Sequence, residues 1–407
     1  MMMRSALAGS LKFPAAASTG ARLPPWICTP PATANSTYTA ANANTAIAGL
    51  GAPSALSALN TGWQITYDIN GNGTWAVPPG SYLYGVSTPA IGIPADYSGL
   101  TIDSCAVRDV FASGASGAVS GLTITNCVIT QTGSAATKCV NLASDVTATI
   151  SRCTIGGADK QAARADLAVD IDGSSTAVIQ ACDISNCRVA VNISAGTVQD
   201  CYMHDWGFLP GDHTDGVFVP VTRGPMIIQH NTGLMQTTQV APVILSASAS
   251  NGDPEVVNDV TIDSNLLAGG GYTTYSGGQK ATRTVDLFAS GGTYMVADTL
   301  AVTTDELAYI TDGGINIAPG SQILASGLVP GAGYNLSVPP LNTVTGASVT
   351  VHYASNVTVS NNRYSTMFYA SVGFQGLPDH AFDISGYGNA WANNVIHDTN
   401  AVINYNS

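Results

Sequence analysis

Seven ionisable side chains lie within 27 residues of one another near the middle of this sequence. They occur in the stretch YMHDWGFLPGDHTDGVFVPVTRGPMIIQH and are His204, Asp205, Asp212, His213, Asp215, Arg223 and His230. Charged residues make up only 10% of the 407-residue chain, and three of its six histidines fall in this stretch. Such clustering in a weakly charged chain marks the stretch as a candidate site.

Paired carboxylates can act as general acid and general base on a glycosidic bond. Asp215 precedes Gly216 and the alternating apolar run GVFVPV, so it is expected at the edge of a parallel-sheet face. The candidate catalytic residues are Asp205, Asp212, His213, Asp215 and Arg223. Acid–base chemistry on a polysaccharide is therefore one function that the stretch predicts.

Three other interpretations of the same stretch stay open. Carboxylates with histidine or carbonyl oxygens are ligands that a divalent cation such as calcium takes. His204, Trp206 and His230 are candidate glycan-binding residues that require no turnover. Asp before Gly is also common in turns, so a purely structural loop is the simplest alternative. No cofactor motif is present, neither a P-loop nor a dinucleotide fingerprint.

A nine-residue sequence repeat along the chain predicts the strands that must position these residues. Copies such as GLTIDSCAV, GLTITNCVI and DVTIDSNLL alternate apolar and polar residues, and a second apolar run such as LAVDID or GVFVPV follows each copy. The seventh place is occupied by Cys105, Cys127, Cys153, Cys182, Cys201, Asn231, Asn265, Asn362 and Asn394. Successive places are 22, 26, 29, 19, 30, 34, 97 and 32 residues apart.

Two strand-like runs per period, with no helical period between them, predict a solenoid in which each coil stacks on the last. We predict an all-β fold, a right-handed parallel β-helix of about nine coils. At roughly 4.8 Å per coil the stack would be about 40 Å tall.

Stacked coils place the Cys and Asn positions in vertical columns. The five cysteines are predicted to form a buried column of free thiols, because side chains that point the same way do not converge for a disulfide. The asparagines below them are predicted to form an amide ladder, each side chain donating to the next. Cys28, Cys139 and Cys187 lie outside the column, and no zinc spacing is present. All eight cysteines are predicted to be structural.

The composition bears on partners and localisation. A formal charge of −13, from 26 acids and 13 bases, makes nucleic acid and anionic membranes poor partners. No apolar run has the length of a membrane span. Lys12 and Pro14 interrupt the only candidate signal peptide, so a chain made in the cytoplasm and held by its N-terminus is expected.

Turn signals and composition divide the chain into five parts. Residues 1–60, rich in Ala, Pro and Thr, are predicted to be an arm that lies on a partner or on the first coils. Residues 61–95 carry Asn-Gly turn chemistry and are predicted to be a hairpin and cap. Coils are predicted over 96–290, with VDLFAS at 285 as a strand, and over 349–407. The 97-residue spacing leaves 291–348 as an inserted small β-module.

A shorter echo of the candidate site occurs near the C-terminus. The stretch GLPDHAFDISG contains Asp379, His380 and Asp383. Its recurrence at the same place in a coil favours a repeated structural turn.

With the repeats and DHTDGVFV in view, the sequence resembles the pectate-lyase-like family of right-handed β-helix proteins over roughly 96–290 and 350–407. The H-x-D-G element of His213, Asp215 and Gly216 resembles one found in β-helix proteins of actinobacteria and their phages. Polygalacturonase motifs are absent. Arg223 is the nearby candidate for the basic residue that lyases of this family use, which the resemblance implies as a catalytic base.

The insert resembles a phrase common in phage structural proteins. Its elements are Gly314, Ile315, Gly320 and Ile323, then Tyr334 to Ser337, and then Thr345 and Gly346. The resemblance to tail fibre, tailspike and minor tail proteins implies a homotrimer whose β-helices bind, and in some members cleave, host-surface glycans. It also implies that the N-terminal arm anchors to other tail proteins.

Three hypotheses for function follow. The first is a virion tail component that contacts host cell-surface glycans, with or without depolymerase activity. The second is a secreted polysaccharide lyase or glycoside hydrolase of the β-helix type. The third is a surface adhesin without chemistry.

Overall fold

The computed structural model describes residues 64–66, 74–76, 82–84, 87–93, 95–112, 118–132, 137–143, 145–209, 211–238, 240–246, 257–276, 280–290, 293–296, 344–352, 354–376, 378–380, 382, 384 and 388–405. The predicted N-terminal arm, Cys28, Asp383 and the phage-like elements from Gly314 to Ser337 lie outside these residues. The described chain is all-β, with parallel strands in two long sheets.

Strands are numbered β1 to β31 in chain order, and the parallel ones form three faces. Face A contains β3 (Tyr82–Tyr84), β5 (Thr101–Asp103), β7 (Val119–Thr125), β10 (Val146–Ser151), β13 (Thr176–Gln180), β16 (Gly196–Gln199), β19 (Met226–Gln229), β22 (Val257–Asp263), β28 (Ala354–Ser360) and β30 (Ala390–Ala392). Face B contains β8 (Val128–Gln131), β11 (Thr154–Gly157), β14 (Asp183–Ser185), β17 (Tyr202–His204), β20 (Thr232–Met235), β23 (Leu266–Gly269), β29 (Arg363–Ser365) and β31 (Val395–Ile396). Face C contains β9 (Lys138–Leu142), β12 (Ala165–Ile171), β15 (Cys187–Ile193), β18 (Asp215–Val219), β21 (Val243–Leu245) and β24 (Thr274–Tyr275).

Faces B and C are joined at one end of the stack into a single sheet. The joining strands are β4 (Ser87–Ile93) and β6 (Ala106–Ala112), and β6 pairs with both β8 and β9. The antiparallel pair β1 (Gln64–Thr66) and β2 (Thr74–Ala76) continues this sheet beyond β4. The chain passes from face A to B to C and then pairs with itself one repeat later. This stacking is consistent with the predicted parallel β-helix.

The fourth residue of each copy of the repeated nine-residue sequence points into the hydrophobic interior. On face A these residues are in parallel register and buried: Ile102, Ile124, Ile150, Ile179, Val198, Ile228, Ile262 and Val359. Burying one such side chain contributes about 1.5–3 kcal/mol, so the column is a main source of stability. A one-residue slip would turn every member outward, which fixes the register.

The corner between faces A and B, here the A–B corner, holds the predicted Cys and Asn column. The backbone N–H of Cys105 donates to Cys127 Sγ at 3.4 Å, and the N–H of Cys201 donates to Asn231 Oδ1 at 2.9 Å. Lower in the column Asn231 Nδ2 donates to Asn265 Oδ1 at 3.0 Å, and the same contact joins Asn265 to Asn362 at 2.9 Å. The predicted column and amide ladder are confirmed, and the seven described cysteines are buried thiols without disulfides.

A left-handed residue precedes every member of this column, which the sequence did not reveal. The nine residues have φ between 52° and 56° and are Ser104, Asn126, Arg152, Ala181, Asp200, His230, Ser264, Asn361 and Asn393. Such a conformation costs free energy for residues with a Cβ. The buried hydrogen bonds of the next residue hold the sharp turn, so the column and the corner depend on each other.

The predicted coil strand VDLFAS belongs instead to a separate antiparallel sheet. That sheet consists of β25 (Lys280–Ser290), β26 (Thr293–Val296) and β27 (Val344–His352), with β25 in the middle. The prediction of a parallel strand at 285 is therefore wrong. An alternating apolar run has the same period in both kinds of sheet, so the sequence pattern could not separate them.

Candidate functional site

Two long loops project from the corner between faces B and C, here the B–C corner. They are residues 158–164, between β11 and β12, and residues 205–214, between β17 and β18. Between them lies the tight turn at Asn186, whose N–H donates to Asp205 O at 3.0 Å and whose carbonyl accepts from Gly157 N at 3.1 Å. Both loops therefore pack against the same turn, one repeat on either side of it.

Gly207 allows the two loops to touch. A Cβ at this position would lie 3.0 Å from Arg164 Cβ and 3.1 Å from Lys160 O. Arg164 Nη1 also donates to Gly207 O at 3.2 Å. A larger residue at 207 would push loop 205–214 away from loop 158–164, so this glycine keeps the charged groups of both loops together.

Ion pairs tie the loops to each other and to face C. Lys160 Nζ contacts Asp205 Oδ1, and Arg164 Nη1 contacts Asp212 Oδ2. Arg188 on β15 makes a bidentate pair with Asp166 on β12, with Nε to Oδ1 at 2.6 Å and Nη2 to Oδ2 at 3.2 Å. We call this set of side chains, with His204, His213, Asp183 and Asp215, the corner cluster.

Arg188 also connects the paired charges to the candidate loop. Its Nη1 donates to His213 O at 3.2 Å, and its charge acts on the neighbouring Asp215 carboxyl. The pKa of Arg188 is raised, chiefly by the hydrogen bond to Asp166, so the guanidinium stays charged. Arg188 therefore links Asp166 on face C to His213 and Asp215 of the candidate stretch.

His204 lies between two carboxylates at the end of β17. Its Nε2 is 2.9 Å from Asp183 Oδ1 and its Nδ1 is 2.6 Å from Asp205 Oδ2, while the ring stacks on Tyr202 at 4.2 Å. Desolvation lowers the pKa of His204, but the two carboxylates together raise it above its ordinary value. The imidazole is thereby fixed in orientation and held protonated to higher pH.

Asp215 differs from the other carboxylates of the corner cluster. It is 6% exposed, its Oδ1 has no hydrogen-bond partner, and burial raises its pKa to about 6 against the opposing charge of Arg188. Desolvation also acts on Asp205 and Asp212, but their pairs with Lys160 and Arg164 bring both pKa values below the ordinary range. Asp215 is the predicted catalytic residue that can exchange a proton near neutral pH.

The remaining predicted site residues are Trp206, which is in the same loop but buried, and Arg223 and His230, which lie elsewhere. Trp206 is buried and its Nε1 donates to Leu234 O at 2.9 Å. Arg223 is exposed beyond the far end of β18, where its N–H donates to Ser194 O. His230 is at the A–B corner and pairs with Asp200. The structure brings His204, Asp205, Asp212, His213 and Asp215 together and leaves Arg223 and His230 apart from them.

Sequence reasoning missed the partners of the cluster because they precede it by one or two repeats. They are Lys160, Arg164, Asp166, Asp183 and Arg188. Asp166 and Arg188 are 22 residues apart, and Arg164 and Asp212 are 48 apart, which is one and about two repeat periods. The repeat period is the signal that points to them, because residues one or two periods before each candidate lie at the same corner.

The C-terminal echo occupies a different register from the candidate site. Thr274 pairs in parallel with Asp379, and through β21 it aligns with Val217, so Asp379 lies two residues beyond the position of Asp215. The prediction that this C-terminal stretch lies at the same place in its coil as the candidate site is therefore wrong. Asp379 Oδ2 accepts from Thr274 Oγ1 at 2.5 Å and from Ser276 Oγ at 2.6 Å.

Asp379 should make the stability of the chain depend on pH. It is 1% exposed, and burial raises its pKa to about 7. Between about pH 4 and pH 7 the unfolded chain has an ionised Asp379 and the folded chain a protonated one, so stability falls as pH rises through this window. We expect a decline of about 4 kcal/mol from this group.

Urea unfolding of the wild type and of Asp379→Asn, at several pH values, checks this expectation. The amide resembles the protonated carboxyl, so the difference between the two profiles isolates residue 379 from His204 and the other titrating groups. The variant should lose stability less steeply between pH 4 and pH 7. Parallel profiles would contradict the expected contribution.

Comparison with known proteins gives no assignment. A scan against protein-family models and searches of curated proteins and solved structures find no match to this chain. Among the residues that the structure describes, no helix has the length and apolar content of a membrane span. Within the same residues no three His, Cys, Asp or Glu side chains are grouped as a metal ion requires.

Proposed function

We propose that this chain is a right-handed parallel β-helix of about nine coils and that it serves as a receptor-binding component of a bacteriophage tail. In this proposal the B–C corner contacts host cell-surface glycans. The N-terminal arm anchors to other tail proteins, and three copies associate in the virion. The repeated phrase, the acidic and hydroxyl-rich composition and the phage-like elements of the insert support it.

The observation that carries the glycan assignment is the corner cluster. Three cations and five carboxylates occupy two touching loops and the strands beside them, and most are fixed by ion pairs. Sugar hydroxyls both donate and accept hydrogen bonds, so a surface with closely alternating donors and acceptors suits them. Because the groups are already oriented by their partners, binding would cost little ordering of side chains.

Titration with glycans tests the proposal. The probes are purified capsule and lipopolysaccharide O-chain fractions of bacterial hosts, with calcium and with a chelator, since a calcium-assisted site is part of the prediction. In the variant Asp166→Asn/Arg188→Gln, both charges of one pair are removed while similar hydrogen-bonding shapes are kept. We expect the double variant to weaken binding at least tenfold, about 1.4 kcal/mol.

Arg152→Gln is the matched control, because Arg152 is an exposed arginine at the A–B corner that bonds Asn126 and Thr125. It should bind as the wild type does. If no fraction binds the wild type, or if both variants lose affinity equally, the corner cluster is not the receptor site. The mass of the full chain in solution tests the proposed trimer separately.

A second candidate function is that of a secreted polysaccharide lyase or glycoside hydrolase. It is favoured by one observation, the buried carboxyl of Asp215 with its unpaired Oδ1 and its pKa near 6. The same environment would serve a tail depolymerase. Binding without product release would leave a tail component without depolymerase activity and a surface adhesin as the remaining hypotheses.

A further inference from the structure

Residues 366–376, here the aromatic loop, carry an exposed apolar patch. Met367 is 47% exposed, Phe368 36% and Phe374 56%, and these are three of the six large apolar side chains that the described residues expose. The loop contains no charged residue. Several exposed apolar side chains on one short loop mark it as a candidate interaction site.

Backbone hydrogen bonds to the loop of the preceding coil hold the aromatic loop in one conformation. Phe374 N donates to Gly270 O at 3.0 Å and Gln375 N donates to Gly271 O at 2.8 Å. Val372 is buried with φ of 75°, a left-handed conformation that is rare for a β-branched residue. Strain of this kind persists where the surroundings over-determine it, and it is concentrated at functional sites.

The aromatic loop and the corner cluster share one edge of the stack. Both lie at the B–C corner, and a chain of contacts joins them: Tyr369 Oη donates to Gln236 O at 3.1 Å, and Thr237 Oγ1 donates to Thr214 Oγ1 at 3.4 Å. Thr214 is the neighbour of Asp215. The two sites are three coils apart, roughly 14 Å along the stack axis.

We propose that the aromatic loop is a platform for a neutral sugar ring of the same glycan that the corner cluster binds, an inference that rests on the proposed function. Tyr369 packs edge-on against Phe374 at 5.7 Å and so fixes the phenyl ring. On the same loop Ser371 and Gln375 are exposed and offer a hydroxyl and an amide, while Thr366 Oγ1 donates to Asp398 Oδ2 at 2.8 Å. An apolar surface bordered by neutral polar groups matches the apolar face and hydroxyl rim of a pyranose.

The size of the patch favours a sugar over a second protein chain. Aromatic side chains bury about 150–250 Å² each, so three half-exposed side chains offer roughly 300 Å². A stable protein interface buries about 800 Å² on each partner. The glycan would therefore run along the B–C corner, with the cluster at one end and the platform at the other.

Binding of size-graded oligosaccharides tests the platform. The probes are partial hydrolysates of the capsule and O-chain fractions, separated by length and titrated into the full chain. Phe374→Ala should raise Kd at least tenfold for the longer oligosaccharides and leave it unchanged for the shortest ones that bind the cluster. Phe374→Tyr should bind as the wild type does. Ile227→Ala, which removes a 37% exposed side chain from face A, is the control.

The outcomes separate the two proposals. If the wild type binds and Phe374→Ala binds long oligosaccharides equally well, the platform is wrong while the receptor site stands. If Phe374→Ala dissociates an oligomer and leaves sugar affinity intact, the patch is a subunit contact and the platform is again wrong. If no oligosaccharide binds the wild type, both proposals fail.

Discussion

Asp215→Asn is expected to lower glycan cleavage by about 10²–10⁴-fold while glycan binding stays within a few-fold of the wild type. The buried carboxyl has a pKa of about 6, so it can hold or release a proton near neutral pH, whereas an amide can do neither. The substitution keeps size and shape, and Asp215 Oδ1 has no hydrogen bond to lose. The binding site should therefore remain intact.

Release of new reducing ends or of unsaturated products from capsule and O-chain fractions measures the effect. If Asp215 protonates the leaving group, the wild-type rate should fall above about pH 6, because only the protonated form donates. Asp172→Asn is the matched control, since Asp172 is an exposed carboxylate just beyond the opposite end of β12 on the same face. A variant at 215 that keeps the wild-type rate would exclude an acid–base role for this residue.

Asn231→Leu is expected to cost about 4 kcal/mol of unfolding free energy. The buried amide of Asn231 accepts from Cys201 N and donates to Val198 O and to Asn265 Oδ1. Leucine removes the acceptor of the buried Cys201 N–H, which costs about 1–3 kcal/mol, and it removes one further hydrogen bond each from Val198 O and Asn265 Oδ1, which costs about 0.5–1.5 kcal/mol apiece. Urea unfolding of the variant, with an unchanged m-value, measures the loss.

Asn231→Cys is the control that the chain itself supplies. In the upper column the N–H of Cys105 donates to Cys127 Sγ, so a thiol at 231 could accept from Cys201 in the same way. This variant moves the junction between thiols and amides by one coil, and we expect it to cost less than half of what leucine costs. Equal losses from the two substitutions would show that side-chain shape, rather than hydrogen bonding, holds the column.

The aromatic loop and the corner cluster differ in how much the sequence revealed of them. His204, Asp205, Asp212, His213 and Asp215 are close in the chain, so their clustering was visible as a run of ionisable residues. Phe368 and Phe374 are more than 130 residues away from them, and nothing in their spacing links them to the site. Only the pairing of β20, β23 and β29 in successive coils places them at the same corner.

The repeated phrase by itself determined that the chain is all-β, that its strands stack in parallel, and that the Cys and Asn positions form columns. Those features follow from a short-range period of two and a long-range period of one coil, both of which are written in the sequence. The strand at 285 shows the limit, because an alternating run does not specify its partner.

Only the tertiary structure decided which charges meet. Arg164 with Asp212 and Arg188 with Asp166 are pairs between coils, and loops of different length shift the alignment of residues from one coil to the next. It likewise decided that Asp215 is buried while its neighbours are ion-paired, because burial depends on packing from all sides. Proton affinity follows from that environment, and the residue type alone does not give it.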